Sequence, residues 1–181
     1  MSKKIKKNLS NFEKILSIRF LLLDVDGVMT DGRVVYGAGG DEVKFFDVKD
    51  GAGLKYWARA GHTAGIITGR SSPAVERRAA ELDVPFVQMG AKDKLPAFEA
   101  MLAAAGVEPH EVAVIGDDLP EIPLMRRAGL AIAVADAVPE VKDAATIITK
   151  KKGGRGAVRE AIERILKAQE RWNGILSRYY E

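Results

Sequence analysis

The run Phe20-Leu21-Leu22-Leu23 ends in Asp24-Val25-Asp26-Gly27. A short, unbroken apolar stretch has no hydrophilic face. It reads as a strand covered on both sides, the pattern of a parallel sheet flanked by helices. In such sheets ligands bind beyond the carboxyl ends of the strands. The two carboxylates therefore stand at the edge suited to a pocket. They sit where the strand is ending, so both can face that pocket, or one can offer its backbone carbonyl there. With a cation added, one carboxylate as nucleophile and one as proton donor is a phosphoryl-transfer arrangement. Asp-x-Asp-Gly also suits an ordinary turn. A calcium loop would need a further Asp or Asn, a later Glu and a helix in front, and here a strand precedes.

Strand-like and helix-like runs alternate through most of the chain, which predicts an α/β fold with a Rossmann-like parallel sheet and flanking helices. Strands are expected over 19–24, 63–67, 86–89, 112–115, 131–134 and 146–148. Helices are expected over 52–60, 73–82, 94–105, 122–127 and from 157 onward. Ser72-Pro73 is a helix start, and Gly61, Gly106 and Gly129 each follow a helical run. Ser10 and Glu13 form a capping box for a short helix. One insert breaks the alternation. Arg33-Val34-Val35-Tyr36 and Glu42-Val43-Lys44-Phe45-Phe46 flank a glycine-rich turn and read as a β-hairpin. It exposes Val, Tyr and Phe on an excursion too small to bury both faces, which invites pairing with another subunit.

The 181 residues are 47% hydrophobic and 29% charged, enough for one domain spanning 1–181 with a good core. Residues 1–17 are read as an amino-terminal extension and 153–181 as a carboxyl-terminal segment. No apolar run is long enough for a membrane span. Lys3, Lys4, Lys6 and Lys7 resemble the start of a signal peptide, but its apolar core does not follow. The absence of cysteine excludes disulfides and thiolate metal sites and is compatible with the cytoplasm, the expected location. The net charge of +3 comes largely from the first lysines and from Lys150-Lys151-Lys152. No RNA-binding or helix-turn-helix pattern accompanies it, so attraction of an anionic small substrate is expected rather than nucleic-acid binding.

Polar residues recur at other strand ends. One expected strand leads into Thr68-Gly69-Arg70, another into Gly116-Asp117-Asp118, and Lys92-Asp93-Lys94 opens a helix. In a parallel sheet Asp24, Thr68 and Asp117 share one edge. Magnesium takes oxygen ligands, usually one or two carboxylates with phosphate and water. Asp24 and Asp117 supply the carboxylates and the Asp26 carbonyl a third ligand. Thr68 is placed to donate to a phosphate oxygen, and Lys94 to neutralise its charge.

This order of Asp24-Val25-Asp26-Gly27, Thr68, Lys94 and Gly116-Asp117-Asp118 resembles the haloacid dehalogenase-like phosphatase superfamily. The resemblance implies that Asp24 attacks phosphorus and that Asp26 protonates the leaving alcohol and then activates water. Further segments narrow it: Asp47-Val48-Lys49-Asp50-Gly51-Ala52-Gly53, Arg77-Arg78, Asp93-Lys94-Leu95 and Gly153-Gly154-Arg155-Gly156-Ala157-Val158-Arg159-Glu160. With these the chain is similar, from about residue 18 to 172, to the 3-deoxy-D-manno-octulosonate 8-phosphate phosphatase family. That implies a magnesium-dependent homotetramer in lipopolysaccharide core sugar synthesis. Its substrate contacts would be Asp26, Asp47, Val48, Lys49, Asp50, Gly51, Lys55, Arg70, Arg78 and Lys94. Lys49 and Lys55 stand where the family often has Arg. Glu121 is one methylene longer than the Asp usual at that place. Related nonulosonate 9-phosphate phosphatases tend to have Thr-Gly-Glu where this chain has Thr68-Gly69-Arg70; Arg70 suits a sugar-acid carboxylate.

Residues 27–67 and 69–93 leave no room for a cap domain on either side of Thr68. An uncapped site is open to water, which weakens its electrostatics, and a neighbouring subunit is expected to supply a lid, with Arg155 as its contributor. Open sites also admit large substrates, so a polynucleotide or protein phosphatase is the second expectation. A non-catalytic sugar-phosphate scaffold is the third, and the intact Asp24, Asp26, Thr68, Lys94, Asp117 set argues against it.

Overall fold

The computed structural model describes residues 11–180. Helix α1 (Asn11–Ser17) leads into β1 (Phe20–Leu23), all four residues of which are buried. Ser10, and with it the expected capping box, lies outside the described residues, as do the first lysines. The remaining main strands are β4 (Thr63–Ile67), β5 (Phe86–Gln88), β6 (Val112–Gly116), β7 (Leu130–Ala133) and β8 (Ile147–Ile148), preceded by a hairpin of β2 (Val35–Tyr36) and β3 (Glu42–Val43). The main sheet is parallel with order β5-β4-β1-β6-β7-β8. The chain leaves β1 to build one half and returns beside it to build the other, so the order reverses at β1. Such a switch point leaves a crevice at the carboxyl ends.

Register fixes what lines that crevice. Leu23 lies opposite Ile66 and Ile115. Asp24 is thus level with Ile67 and Gly116, and Thr68 and Asp117 stand one residue beyond.

The helices are α2 (Val48–Arg59), α3 (Pro73–Glu81), α4 (Lys94–Ala105), α5 (Ile122–Met125), α6 (Pro139–Ala144), α7 (Ala157–Ala168) and α8 (Trp172–Tyr180). In α7 the buried residues Ala157, Val158, Ala161, Ile162, Ile165 and Leu166 recur at helical spacing and lay one face on the core. Its first turn has no side-chain cap of its own. The carboxylate of Asp50, on α2, takes that part instead. It accepts from the backbone N–H of Gly156 at 3.1 Å and of Arg159 at 2.8 Å.

Several expected boundaries move. Helix α2 begins at Val48 rather than 52, because Asp47 caps it by accepting from the Lys49 N–H at 2.6 Å. The last expected helix is two, α7 and α8. Gly106 ends α4 in the left-handed conformation, as expected. Gly129 is needed for a different reason: a Cβ there would lie 2.0 Å from the His110 carbonyl oxygen. The hairpin is present but short, with Val35 opposite Val43 and Tyr36 opposite Glu42. Among the described residues no helix is long and apolar enough to cross a membrane.

Candidate active site

The loop after β1 turns back at once. The N–H groups of Met29 and Thr30 both donate to the Val25 carbonyl, at 2.9 and 3.0 Å. Gly27 allows the turn, with φ +90°, and a Cβ there would fall 1.9 Å from Asp117 Oδ2. Two loops far apart in sequence therefore meet with no room for a side chain between them. Residues 153–154 close the far side. The Gly154 N–H donates to the Val28 carbonyl at 2.9 Å, and a Cβ on Gly153 would overlap the Gly27 carbonyl oxygen.

At the centre, buried Lys94 opens α4 and donates from Nζ to Asp24 Oδ1 at 2.6 Å and to Glu121 Oε1 at 2.5 Å. Glu121 is held from its other oxygen by the Asp118 N–H at 3.2 Å. Its extra methylene therefore does not prevent it from reaching Lys94. Asp117 completes the cluster; one carboxylate oxygen each from Asp24, Asp117 and Glu121 lie within 4.8 Å of one another. Thr68 is buried beside them, and its hydroxyl accepts from the Arg70 N–H at 3.4 Å.

Three carboxylates thus face one ammonium. Burial pushes Asp117 up to about 8, with the charges of Asp24, Glu121 and Asp118 adding to it. Burial also raises Asp24, to about 6; Lys94 opposes this and Glu121 adds to it. Burial alone disfavours the Lys94 ammonium, but Asp24 and Glu121 outweigh it and hold the group above its usual value. Asp117 Oδ1 is buried with no hydrogen-bond partner. An orphaned carboxylate oxygen, hard oxygen donors and, once all three carboxyls are ionised, an excess of two negative charges fit a divalent cation.

Outside this cluster Asp26 Oδ1 accepts from Lys44 Nζ at 2.5 Å. Lys44 also contacts Glu42 Oε2 at 3.3 Å, and Glu42 Oε1 holds Arg70 through Nη2 at 2.8 Å and Nε at 3.0 Å. Beyond them a cavity of about 460 Å³ is walled by Phe45, Phe46, Asp47, Val48, Lys49 and Arg155, among others. Arg155 is 63% exposed and bonded to Asp31 Oδ2 at 3.1 Å.

A model of haloacid dehalogenase-like hydrolases matches residues 89–162. The chain is 43% identical over 162 residues to the 3-deoxy-D-manno-octulosonate 8-phosphate phosphatase of Yersinia pestis, covering 90% of this chain and 87% of that protein. The chain belongs to the 3-deoxy-D-manno-octulosonate 8-phosphate phosphatase family. Solved structures of this family superpose on it closely. The Moraxella catarrhalis enzyme, in complex with a magnesium ion, a phosphate ion and a KDO molecule, aligns with TM-score 0.90 at 40% identity, over 93% of this chain and 97% of that one. The cobalt-bound Haemophilus influenzae phosphatase aligns with TM-score 0.84 at 39% identity, over 87% and 92%.

Not every expected contact of this phosphatase family gathers at the cluster. Asp24, Thr68, Lys94 and Asp117 do; Asp26 lies at its margin, bonded to Lys44, and Arg70 is joined to it through Glu42 and Lys44. Asp47, Val48, Lys49 and Arg155 form the outer cavity. The Asp50 carboxylate is used within the fold, as the cap of α7. Gly51 gives room to Arg78; a Cβ there would meet Arg78 Nη2 at 2.3 Å. Arg78 lies over the Phe46 ring, 5.7 Å from its centre, and pairs with Glu81, so it lines a neighbouring groove. Lys55 pairs with Asp83 on the flank of α2. Lys44 and Glu42 were not among the expected site residues. The signal was the alternation Glu42-Val43-Lys44-Phe45: Val43 and Phe45 are exposed while the Lys44 side chain is 2% exposed, so the two charged residues share the inward face.

Proposed function

We propose that this protein is a magnesium-dependent phosphatase that hydrolyses 3-deoxy-D-manno-octulosonate 8-phosphate to the free sugar acid and phosphate, in the cytoplasm, for lipopolysaccharide core sugar synthesis. The observation that carries the reading is the placement of Asp24 at the switch point, bonded to Lys94 and beside the orphaned Asp117 oxygen. The relatives' named substrate, and the sugar acid and phosphate held by the Moraxella catarrhalis enzyme, support the substrate choice.

Asp24 attacks phosphorus with a carboxylate oxygen. The new O–P bond forms as the bond to the sugar oxygen breaks, and Asp26 gives that oxygen its proton. Asp26 then takes a proton from water as the water oxygen attacks phosphorus, which releases phosphate and restores Asp24. The Thr68 hydroxyl donates to a phosphate oxygen, and Lys94 offsets the charge spread over the others. Asp24, Asp117 and the Asp26 carbonyl would hold magnesium, whose charge would offset that of the phosphate and favour the ionised form of Asp24.

This assignment links metal binding to pH. Without the cation Asp117 holds a proton up to about 8, and that proton must leave when its oxygens become ligands. Apparent magnesium affinity should therefore tighten about tenfold per pH unit as pH rises toward 8, then level off. Calorimetry in buffers of different ionisation enthalpy should show about one proton released per cation at pH 7. A pH-independent affinity would remove Asp117 from the ligand set.

Arg70 and Lys49 bring more positive charge near the site than one phosphate needs, and the sugar-acid carboxylate accounts for it. Arg70→Ala should lower kcat/KM for the octulosonate phosphate about 10- to 150-fold, the loss of one charged hydrogen-bond partner. An aryl phosphate should suffer much less. If glucose 6-phosphate matches the octulosonate in the wild type, carboxylate recognition is wrong.

The chain works as one domain in a symmetric homotetramer assembled through the hairpin, whose Val34, Tyr36, Val43 and Phe45 are exposed. A neighbouring subunit then covers the outer cavity, and the exposed Arg155 and the segment from 153 act as its lid. Light scattering should give a tetramer at micromolar concentration. A fully active monomer would overturn both statements.

A further inference from the structure

Lys44 is an ammonium almost wholly withdrawn from water on an otherwise exposed hairpin. Burying a charge is unfavourable unless it is paired, so such a side chain holds its place only through its partners. It has two: Asp26 Oδ1 at 2.5 Å and Glu42 Oε2 at 3.3 Å. Glu42 is itself clamped from the other side by Arg70. The result is an ion ladder, Arg70–Glu42–Lys44–Asp26, running from the hairpin to the loop after β1. The last rung engages Oδ1 of Asp26.

Building on the role given above to Asp26, we propose that Lys44 is a positioning residue that fixes the Asp26 carboxylate for proton transfer to the leaving sugar oxygen, with Glu42 holding Lys44 in place. Misplacing a proton donor by about an ångström is enough to lose on the order of 10²-fold. The hairpin, otherwise an assembly element, thereby has a second duty in the chemistry of its own chain.

The test compares leaving groups. An alkoxide such as a sugar oxygen needs its proton as it departs; p-nitrophenolate does not. Lys44→Met should slow the single-turnover cleavage of 3-deoxy-D-manno-octulosonate 8-phosphate about 30- to 100-fold. Release of p-nitrophenol from p-nitrophenyl phosphate, in the same rapid-quench format, should change less than threefold. Single turnover isolates the first step, so the later role of Asp26 with water does not enter. Lys44→Arg, which keeps the cation, should restore most of the sugar-phosphate rate. It also serves as the probe if the Met variant fails to fold. In a double-mutant cycle Lys44→Met should add less than twofold on an Asp26→Asn background, because there is no acid left to position. An equal loss on both esters would make Lys44 a structural or phosphate-binding residue and overturn the proposal. The Asp26→Asn variant separates the two failures. If it shows the leaving-group split and Lys44→Met does not, only the positioning role falls. If Asp26→Asn shows no split, the acid role of Asp26 falls and the positioning role with it.

Discussion

Asp24→Asn is expected to reduce phosphate release by about 10⁴-fold or more, because an amide cannot form the aspartyl phosphate on which the proposed turnover depends. The same change should not unfold the metal-free protein. Lys94 keeps Glu121 as a partner at 2.5 Å. The Asp24 carboxyl sits well above its usual range, near 6, in the metal-free site. The folded form therefore binds that proton more readily than the unfolded chain does. Stability from this group is lost as pH rises from about 4 to 6, and Asn removes the loss. In chelator above pH 6 the Asn variant should melt at or above the wild-type temperature, and the difference should fade toward pH 4. Near-normal phosphate release by the variant would refute the nucleophile. A large fall in melting temperature would refute the electrostatic account of the cluster.

Lys94→Met should damage both properties. It strips from Asp24 and Glu121 the ammonium to which both are bonded, and both are about as buried as Lys94 itself. Removing one partner of a buried pair leaves a charge without compensation, a loss of about 3–5 kcal/mol. The carboxylates will take up protons to limit it. Magnesium should recover part of the melting temperature by supplying positive charge. It should not recover turnover, expected to fall about 10³-fold, since no group replaces the ammonium at the phosphate. Thermal melts with and without magnesium, alongside kcat/KM, distinguish the two. An activity within tenfold of wild type would move Lys94 out of the phosphate site.

The parts of this fold that can be read from sequence are those with a local cause. Strand β1 is legible because a strand covered on both faces is a continuous apolar run, and the carboxylates after it are legible because such a run must end at the crevice. Thr68, Lys94 and Asp117 follow from the same rule applied to their own strands and helix. What the sequence hides has a distant cause. The capping role of Asp50 depends on the N–H groups of Gly156 and Arg159, brought to it by packing of α2 against α7. The first turn of α2 is hidden by Gly51 and Gly53, which lower helix propensity and are there to make room for neighbours. The apolar residues of the hairpin mark it in the sequence, whereas the inward placement of Glu42 in β3 and of Lys44 just after it depends on Asp26 and Arg70, which are distant in the chain. Ser72 starts α3 as expected, but its hydroxyl forms no cap bond and is buried without a partner.

The seam where Gly153 and Gly154 press on the Gly27–Thr30 backbone has a temporal consequence. The loop bearing both carboxylates precedes by more than a hundred residues the segment that braces it, so it is synthesised well before its brace. A nascent or prematurely terminated chain that lacks 153 has only the loop's own bonds to the Val25 carbonyl and misses the Gly154 N–H bond to Val28. A ribosome-stalled product ending before 153 would carry Asp24, Asp26, Asp117 and Glu121 yet lack the brace of the loop that bears the first two, and reduced phosphate release is the outcome expected of it.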